Sequence, residues 1–209
     1  MTESGGTVFV VDDDPEVRAS LAELFAASGL RTAVFETAEH FIENCDLRAP
    51  GCMVLDMELP GMDGLALQGC LRENGWRSPV IFLTGRADVS GAVRALKAGA
   101  ADFLEKPCPP GMLLERVRAA LERDRVLRAE RQRREQAAGL LAKLTPRERE
   151  VLELVVAGRA SKVIAMELGI SERTVEIHRH HVLGKLDVHS LVDLVALCER
   201  AGLKRPEDA

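Results

Sequence analysis

Five residues far apart in the chain share one setting, each closing or following a short apolar run. Asp12 and Asp13 come directly after Thr7 to Val11, Asp56 after Cys52 to Leu55, Thr84 ends Val80 to Thr84, and Lys106 follows Ala101 to Leu104. Brought to one pocket, three carboxylates repel each other unless a cation is present. Hard oxygen donors suit Mg²⁺, which keeps some of its waters and accepts phosphate oxygens. With a hydroxyl and an ammonium beside them, the set has the chemistry of a phosphoryl site. Singly, each has an ordinary reading: a helix N-terminal acidic cluster, a turn residue, a strand-end cap, a solvated charge.

What could bring them together is an alternation of strand and helix signals. Thr7 to Val11 is a buried strand by its β-branched run. Asp14 then caps a helix with Pro15 at its first position and Val17, Leu21, Leu24 and Phe25 at helical spacing up to Ser28-Gly29. The pattern repeats as strand Thr32 to Phe35, helix Ala38 to Asn44, strand Cys52 to Leu55, helix Leu65 to Glu73, strand Val80 to Thr84, helix Val89 to Ala98 and strand Ala101 to Leu104, with a fifth helix from near Pro110. Continuously apolar strands between helices predict a parallel sheet covered on both faces, and ligands of such sheets sit at the carboxyl ends of the strands.

The motifs Val11 to Pro15 (VDDDP), Leu55 to Gly64 (LDMELPGMDG), Phe82 to Gly85 (FLTG) and Lys97 to Pro107 (KAGAADFLEKP) resemble the receiver domain of bacterial response regulators over essentially residues 5 to 121. The resemblance implies a flavodoxin-like doubly wound, five-stranded parallel sheet and a set of residue roles. Asp56 accepts a phosphoryl group from a sensor histidine kinase. Asp12, Asp13 and Asp56 hold Mg²⁺ with the Glu58 backbone carbonyl, and Lys106 contacts the phosphoryl oxygens. Thr84 and Phe103 form the switch pair, and the Lys106–Pro107 bond is cis. Glu58 and Arg86 occupy positions that flank the site in this family. Their opposite charges suggest a pair across the pocket mouth, with two solvated side chains as the even alternative.

From Met112 to about Ala138 the chain has neither proline nor glycine, and Arg, Glu, Gln, Leu and Ala dominate, which predicts a helix. Its apolar stripe fades after Leu127, so a long coiled coil is not expected. Arg128, Arg131, Arg133 and Arg134 are expected to face solvent.

Beyond it, Thr145-Pro146 with Glu148 forms a capping box, and Gly158 stops that helix. Lys162 to Leu168 is a second helix, Ser171 caps a third, and a fourth runs from about Leu191 to Arg200. Helix, glycine turn and capped helix make a helix-turn-helix. The stretches Leu144 to Leu152 (LTPREREVL), Ser161 to Ala165 (SKVIA) and Leu168 to Arg179 (LGISERTVEIHR) resemble the LuxR-type DNA-binding domain. Together with the receiver they resemble the NarL/FixJ class of response regulators, nearest the FixJ branch. At about 100° per residue Val175, Val182 and Leu186 face a core, while Arg173, Glu176, Ile177 and His180 lie opposite, toward base edges. Thr174, Arg179, Lys185 and Lys162 are better placed for phosphates. His178, His180 and His181 lack the Cys or carboxylate that would complete a metal-ligand spacing.

The 209 residues therefore divide into a receiver (1–121), a helical linker (122–143) and an all-α four-helix helix-turn-helix domain (144–209). The net charge of -5 hides a gradient, with 11 basic against 18 acidic residues up to Leu121 and equal numbers from Leu140 onward. Five cysteines without a C-x-x-C pair fit neither a disulfide framework nor a zinc ribbon. No apolar run is long enough for a membrane span and no secretory signal is recognisable, so a cytoplasmic protein is expected. The expected partners are the kinase, promoter DNA and a second copy on phosphorylation, the protein being otherwise monomeric. The expected dimer face runs roughly from Val89 to Val117. A phosphohydrolase is disfavoured because no general acid follows Asp56 at a short fixed spacing, and a DNA-binding domain would then lack purpose.

Overall fold

The computed structural model describes residues 6–85 and 89–203. The chain divides into two compact units, residues 1–128 and 129–209.

In the first unit β1 (Thr7–Val11), β2 (Arg31–Phe35), β3 (Gly51–Leu55), β4 (Val80–Thr84) and β5 (Asp102–Glu105) form one parallel sheet in the order β2-β1-β3-β4-β5. β3 and β4 are buried at every residue, which is why they read as unbroken apolar runs. The two-residue period of a strand sends side chains to two separate cores. Val8, Val10, Cys52, Val54, Ile81 and Leu83 meet Phe25 of α1 (Pro15–Ala27) and Leu113 and Val117 of α5 (Pro110–Leu141). On the other face Phe9, Met53, Leu55 and Phe82 pack with Phe41 of α2 (Ala38–Asn44), Leu67 and Leu71 of α3 (Gly64–Glu73) and Ala95 of α4 (Val89–Lys97). The strand and helix ends agree with the expected ones to within a residue, β5 lying one residue later. The reason is local chemistry: Asp14, Thr37 and Asp63 each accept a backbone N–H at the helix they cap.

α5 runs through Gly139 to Leu141, because Ala137 and Leu141 bury themselves in the core of the second unit and hold that last turn. One expectation about the charged middle is corrected: Arg128 does not face solvent. Its guanidinium donates to Asp124 Oδ2 (2.6 Å), the carbonyls of Arg48 and Ala49 (2.7 Å each) and Ser78 Oγ (2.8 Å), while buried Asp124 also accepts from Gly51 N–H (3.0 Å). The reason is position: one helical turn separates Arg128 from Asp124, and both lie where α5 passes the amino ends of β3 and β4. Arg131, Arg133 and Arg134 are exposed as expected.

The second unit holds α6 (Pro146–Val156), α7 (Ser161–Leu168), α8 (Glu172–Leu186) and α9 (Leu191–Arg200) around Val151, Leu152, Ile164, Val175, Val182, Leu186 and Leu194. The capping box at Thr145 and Glu148 is formed in full, and Gly169 takes the left-handed conformation (φ 65°) between α7 and α8 that a helix-turn-helix needs.

Candidate functional site

The sheet itself assembles the first site. Hydrogen bonding continues one residue past the strands: Asp12 N–H donates to the Phe35 carbonyl (3.2 Å), Asp56 N–H to Val11 (2.9 Å) and Lys106 N–H to Thr84 (2.8 Å). Each of these side chains is thus fixed at the carboxyl edge by the ladder beneath it. The Lys106 ammonium lies 2.6 Å from both Asp12 Oδ2 and Asp56 Oδ2, and carboxylate oxygens of Asp12, Asp13 and Asp56 come within 4.8 Å of one another. Asp12 and Asp56 are buried, Asp13 is exposed and Lys106 is half-buried.

Backbone donors orient the carboxylates. Asp14 N–H reaches Asp12 Oδ1 (3.0 Å) and Glu58 N–H reaches Asp56 Oδ1 (3.1 Å). With Lys106 on the other oxygen, both Asp56 oxygens are anchored, yet each keeps a lone pair free. Burial raises the Asp12 carboxyl above its ordinary range despite the Lys106 hydrogen bond and charge. Burial alone would lower Lys106, but its bonds to Asp12 and Asp56 outweigh this and hold the ammonium charged. Oxygen donors this close suit a hard divalent cation. Close approach also explains Gly64, where a Cβ would collide with the Asp56 carbonyl oxygen, so the loop after Asp56 requires glycine there.

Thr84 is fully buried at the end of β4. Phe103 is half-buried on β5, its ring 6.4 Å from that of Phe82. The Lys106–Pro107 bond is cis as expected. Glu58 is exposed, whereas Arg86, its expected partner, lies outside the described residues. Arg18, which the sequence reading passed over, donates to the Asp12 carbonyl (2.7 Å) from the second turn of α1; no spacing signal marks such a contact.

The second site lies on the helix-turn-helix. As the helical wheel predicts, Val175, Val182 and Leu186 are buried while Arg173, Glu176, Ile177 and His180 are exposed along α8. An exposed isoleucine among polar side chains suits contact with a thymine methyl. Lys162 is exposed at the start of α7. Ser161, also overlooked, joins the two helices: its hydroxyl meets the Glu176 carboxylate and accepts from Arg179 Nη1 (3.2 Å). Thr174 Oγ1 lies 2.8 Å from the capping Ser171 hydroxyl. Lys185 has work inside the fold, since its ammonium lies 2.7 Å from Glu148, whose carboxylate also accepts from Thr145 N–H (2.8 Å). The Lys185 hydrogen bond is the main reason the Glu148 carboxyl falls to about 2. As a phosphate contact, Lys185 would have to share that ammonium.

A sheet of this order with an acidic, lysine-bearing carboxyl edge, followed by a helix-turn-helix, defines a two-component response regulator. Residues 8–118 match the response regulator receiver domain and residues 142–198 match the luxR family of bacterial regulatory proteins; the chain belongs to the response regulators built from these two modules. Among its relatives, transcriptional regulatory protein FixJ of Azorhizobium caulinodans is 42% identical over 202 residues, covering 97% of this chain and 96% of that protein. Nodulation protein W of Bradyrhizobium diazoefficiens is 41% identical over 196 residues, 94% of this chain and 86% of that protein. The solved structure of response regulator StyR is 42% identical and superposes with a TM-score of 0.87 over 94% of this chain and 99% of that one.

Proposed function

We propose that Asp56 is the phosphoryl acceptor and that its phosphorylation by a sensor histidine kinase controls promoter binding by the second unit. One observation carries this reading: three carboxylates within 4.8 Å of one another, with an ammonium 2.6 Å from two of them, at the carboxyl edge of the sheet. An Asp56 oxygen attacks the phosphorus of a phosphohistidine, the P–O bond forms as the P–N bond breaks, and the imidazole leaves with its electron pair. Asp12, Asp13, Asp56 and the Glu58 backbone carbonyl would hold Mg²⁺, which supplies positive charge to the phosphoryl oxygens. Lys106 turns from the bare carboxylates to those oxygens, and Thr84 hydrogen-bonds one of them, with Phe103 moving into the space this opens.

The chain then acts as a regulator with at most slow self-dephosphorylation, not as a turnover enzyme. Phosphorylation favours a homodimer through α4, β5 and the start of α5, and the dimer reads paired half-sites in cytoplasmic DNA. Glu176, Ile177, His180 and Arg173 face base edges; Lys162, Thr174, Arg179 and Lys185 face phosphates. No described helix is long and apolar enough to cross a membrane.

Incubation with ³²P-labelled acetyl phosphate and Mg²⁺ tests the acceptor. Label should persist for minutes on the native chain and be lost in Asp56→Asn, which is nearly isosteric but not anionic. Label at another residue, or rapid release of inorganic phosphate, overturns the reading. On DNA, Glu176→Ala or His180→Ala should change sequence preference, whereas equal losses on specific and random DNA would remove them from the base-facing set.

A further inference from the structure

At the amino end of the sheet, opposite the acidic edge, a cavity of about 190 Å³ opens between α3, α5 and the starts of β4 and β5. Three arginines line it: Arg72, Arg77 and Arg123. No carboxylate lines it, and among the described residues none of the three arginines pairs with one. Two of the three, Arg72 and Arg77, come from the acidic part of the chain up to Leu121, where 18 Asp and Glu outnumber 11 Lys and Arg. Arg72 is held in place, since its guanidinium donates to the Ala98 carbonyl and lies over Gly99, where a Cβ would come within 2.9 Å of Arg72 Nη1. A guanidinium with one of five donors spent on the backbone keeps four for a ligand.

Two buried residues of the lining add a second, independent observation. Gln68 and Trp76 both line it and are 2% and 3% exposed. Gln68 Oε1 and Trp76 Nε1 are buried polar atoms with no hydrogen-bond partner among the described residues. Buried polar groups are rarely left so. Val80, Pro79 and Leu127 supply the apolar part of the lining.

We propose that this cavity is a binding site for a small organic anion: a carboxylate or phosphate gripped by the arginines and accepting from the Trp76 indole N–H, on an apolar body that lies against Val80, Pro79 and Leu127. Guanidinia match both oxyanions by their paired N–H groups, and the wall selects for the body. The occupant acts on the long helix, because Arg123 and Leu127 belong to α5 and Ser78, also on the lining, accepts from Arg128.

Trp76 is the chain's single tryptophan, so the site carries its own reporter. Indole fluorescence and the one indole N–H resonance of the intact chain are followed during titration with hexanoate and hexyl phosphate. Acetate, inorganic phosphate and chloride at equal ionic strength serve as anions without the body. The proposal expects a saturable response to hexanoate, hexyl phosphate or both, and at least about tenfold weaker binding in Arg77→Gln/Arg123→Gln, whose melting temperature should match the native chain. A matching response to acetate, phosphate or chloride overturns it. So does undiminished binding by the double variant, saturation only by a poly-glutamate peptide, or no response, which leaves the cavity to water.

Discussion

Lys106 stands between two buried carboxylates, and its removal leaves Asp12 and Asp56 facing each other with no positive partner. Truncating one member of a buried pair is more costly than the pair is stabilising. Lys106→Met is therefore expected to destabilise the first unit by about 1–3 kcal/mol in chelator, given that the ammonium is partly exposed. Mg²⁺ should restore more stability to this variant than to the native chain, as read by thermal melts with and without the metal. In the second unit the corresponding charge is Glu148. A carboxyl depressed from 4.5 to about 2 contributes stability that is fully present above pH 4.5 and lost as pH falls toward 2. Lys185→Met removes the main cause, so the acid transition of the second unit should move to higher pH, followed on its resonances in the intact chain. That Asp12, Asp13, Asp56 and Lys106 would lie together was legible in the sequence because each sits at a strand end, where the chain pattern fixes position. Ser161 and the Glu148–Lys185 pair were not, because contacts across 15 or 37 positions between helices leave no periodic trace, and Arg18 was not because its partner is a backbone carbonyl, which no residue type marks.

α5 carries the main misreading at the scale of elements. Past Leu127, where the apolar stripe fades, a run of Arg and Glu looks solvated, yet Arg128 folds with Asp124 against the amino ends of β3 and β4. Their i,i+4 spacing was visible, but an exposed helix would use the same spacing, and only tertiary structure distinguishes the two. Arg128→Ala leaves Asp124 buried with Gly51 N–H as its partner and frees the Arg48 and Ala49 carbonyls, so a loss of about 2–4 kcal/mol is expected in denaturant titration. Arg128→Lys should recover little of it, since one ammonium cannot span the fork of acceptors. The strands and caps, by contrast, were readable to within a residue because apolar runs and Asp, Thr or Ser caps act locally.

At the scale of the molecule the cores are separate: two flank the sheet and a third is confined to the second unit. The two cores on the sheet share its strands and unfold as one, whereas the core of the second unit shares none of them and unfolds as a separate cooperative transition. Calorimetry of the intact chain should resolve two, with Arg128→Ala lowering only the one that Mg²⁺ raises and Lys185→Met lowering only the other. A single transition, or both moving together in either variant, would show the units to be energetically merged. The charge gradient belongs to this scale too, for an acidic first unit cannot itself be drawn to DNA, and the charge-balanced second unit has to bind through a few placed cations.

Residues 130–136 of α5 are all exposed, and three of them are arginines. To a trypsin-like protease they are the most favourable cleavage sites by sequence and among the least by shape, because a scissile bond must be drawn out extended and a helix holds it coiled. Cutting therefore waits on local melting of those turns, and the lifetime of the intact chain becomes a clock for how often the helix opens. Gly139 sets part of that rate: it stands in the helix with nothing within 4 Å of the Cβ it lacks, so Gly139→Ala should stiffen the turn by about 0.5–1 kcal/mol and slow clipping severalfold on a time-course gel. The two fragments released would each keep a core of their own, so the digest itself would separate the part that receives the signal from the part that reads DNA.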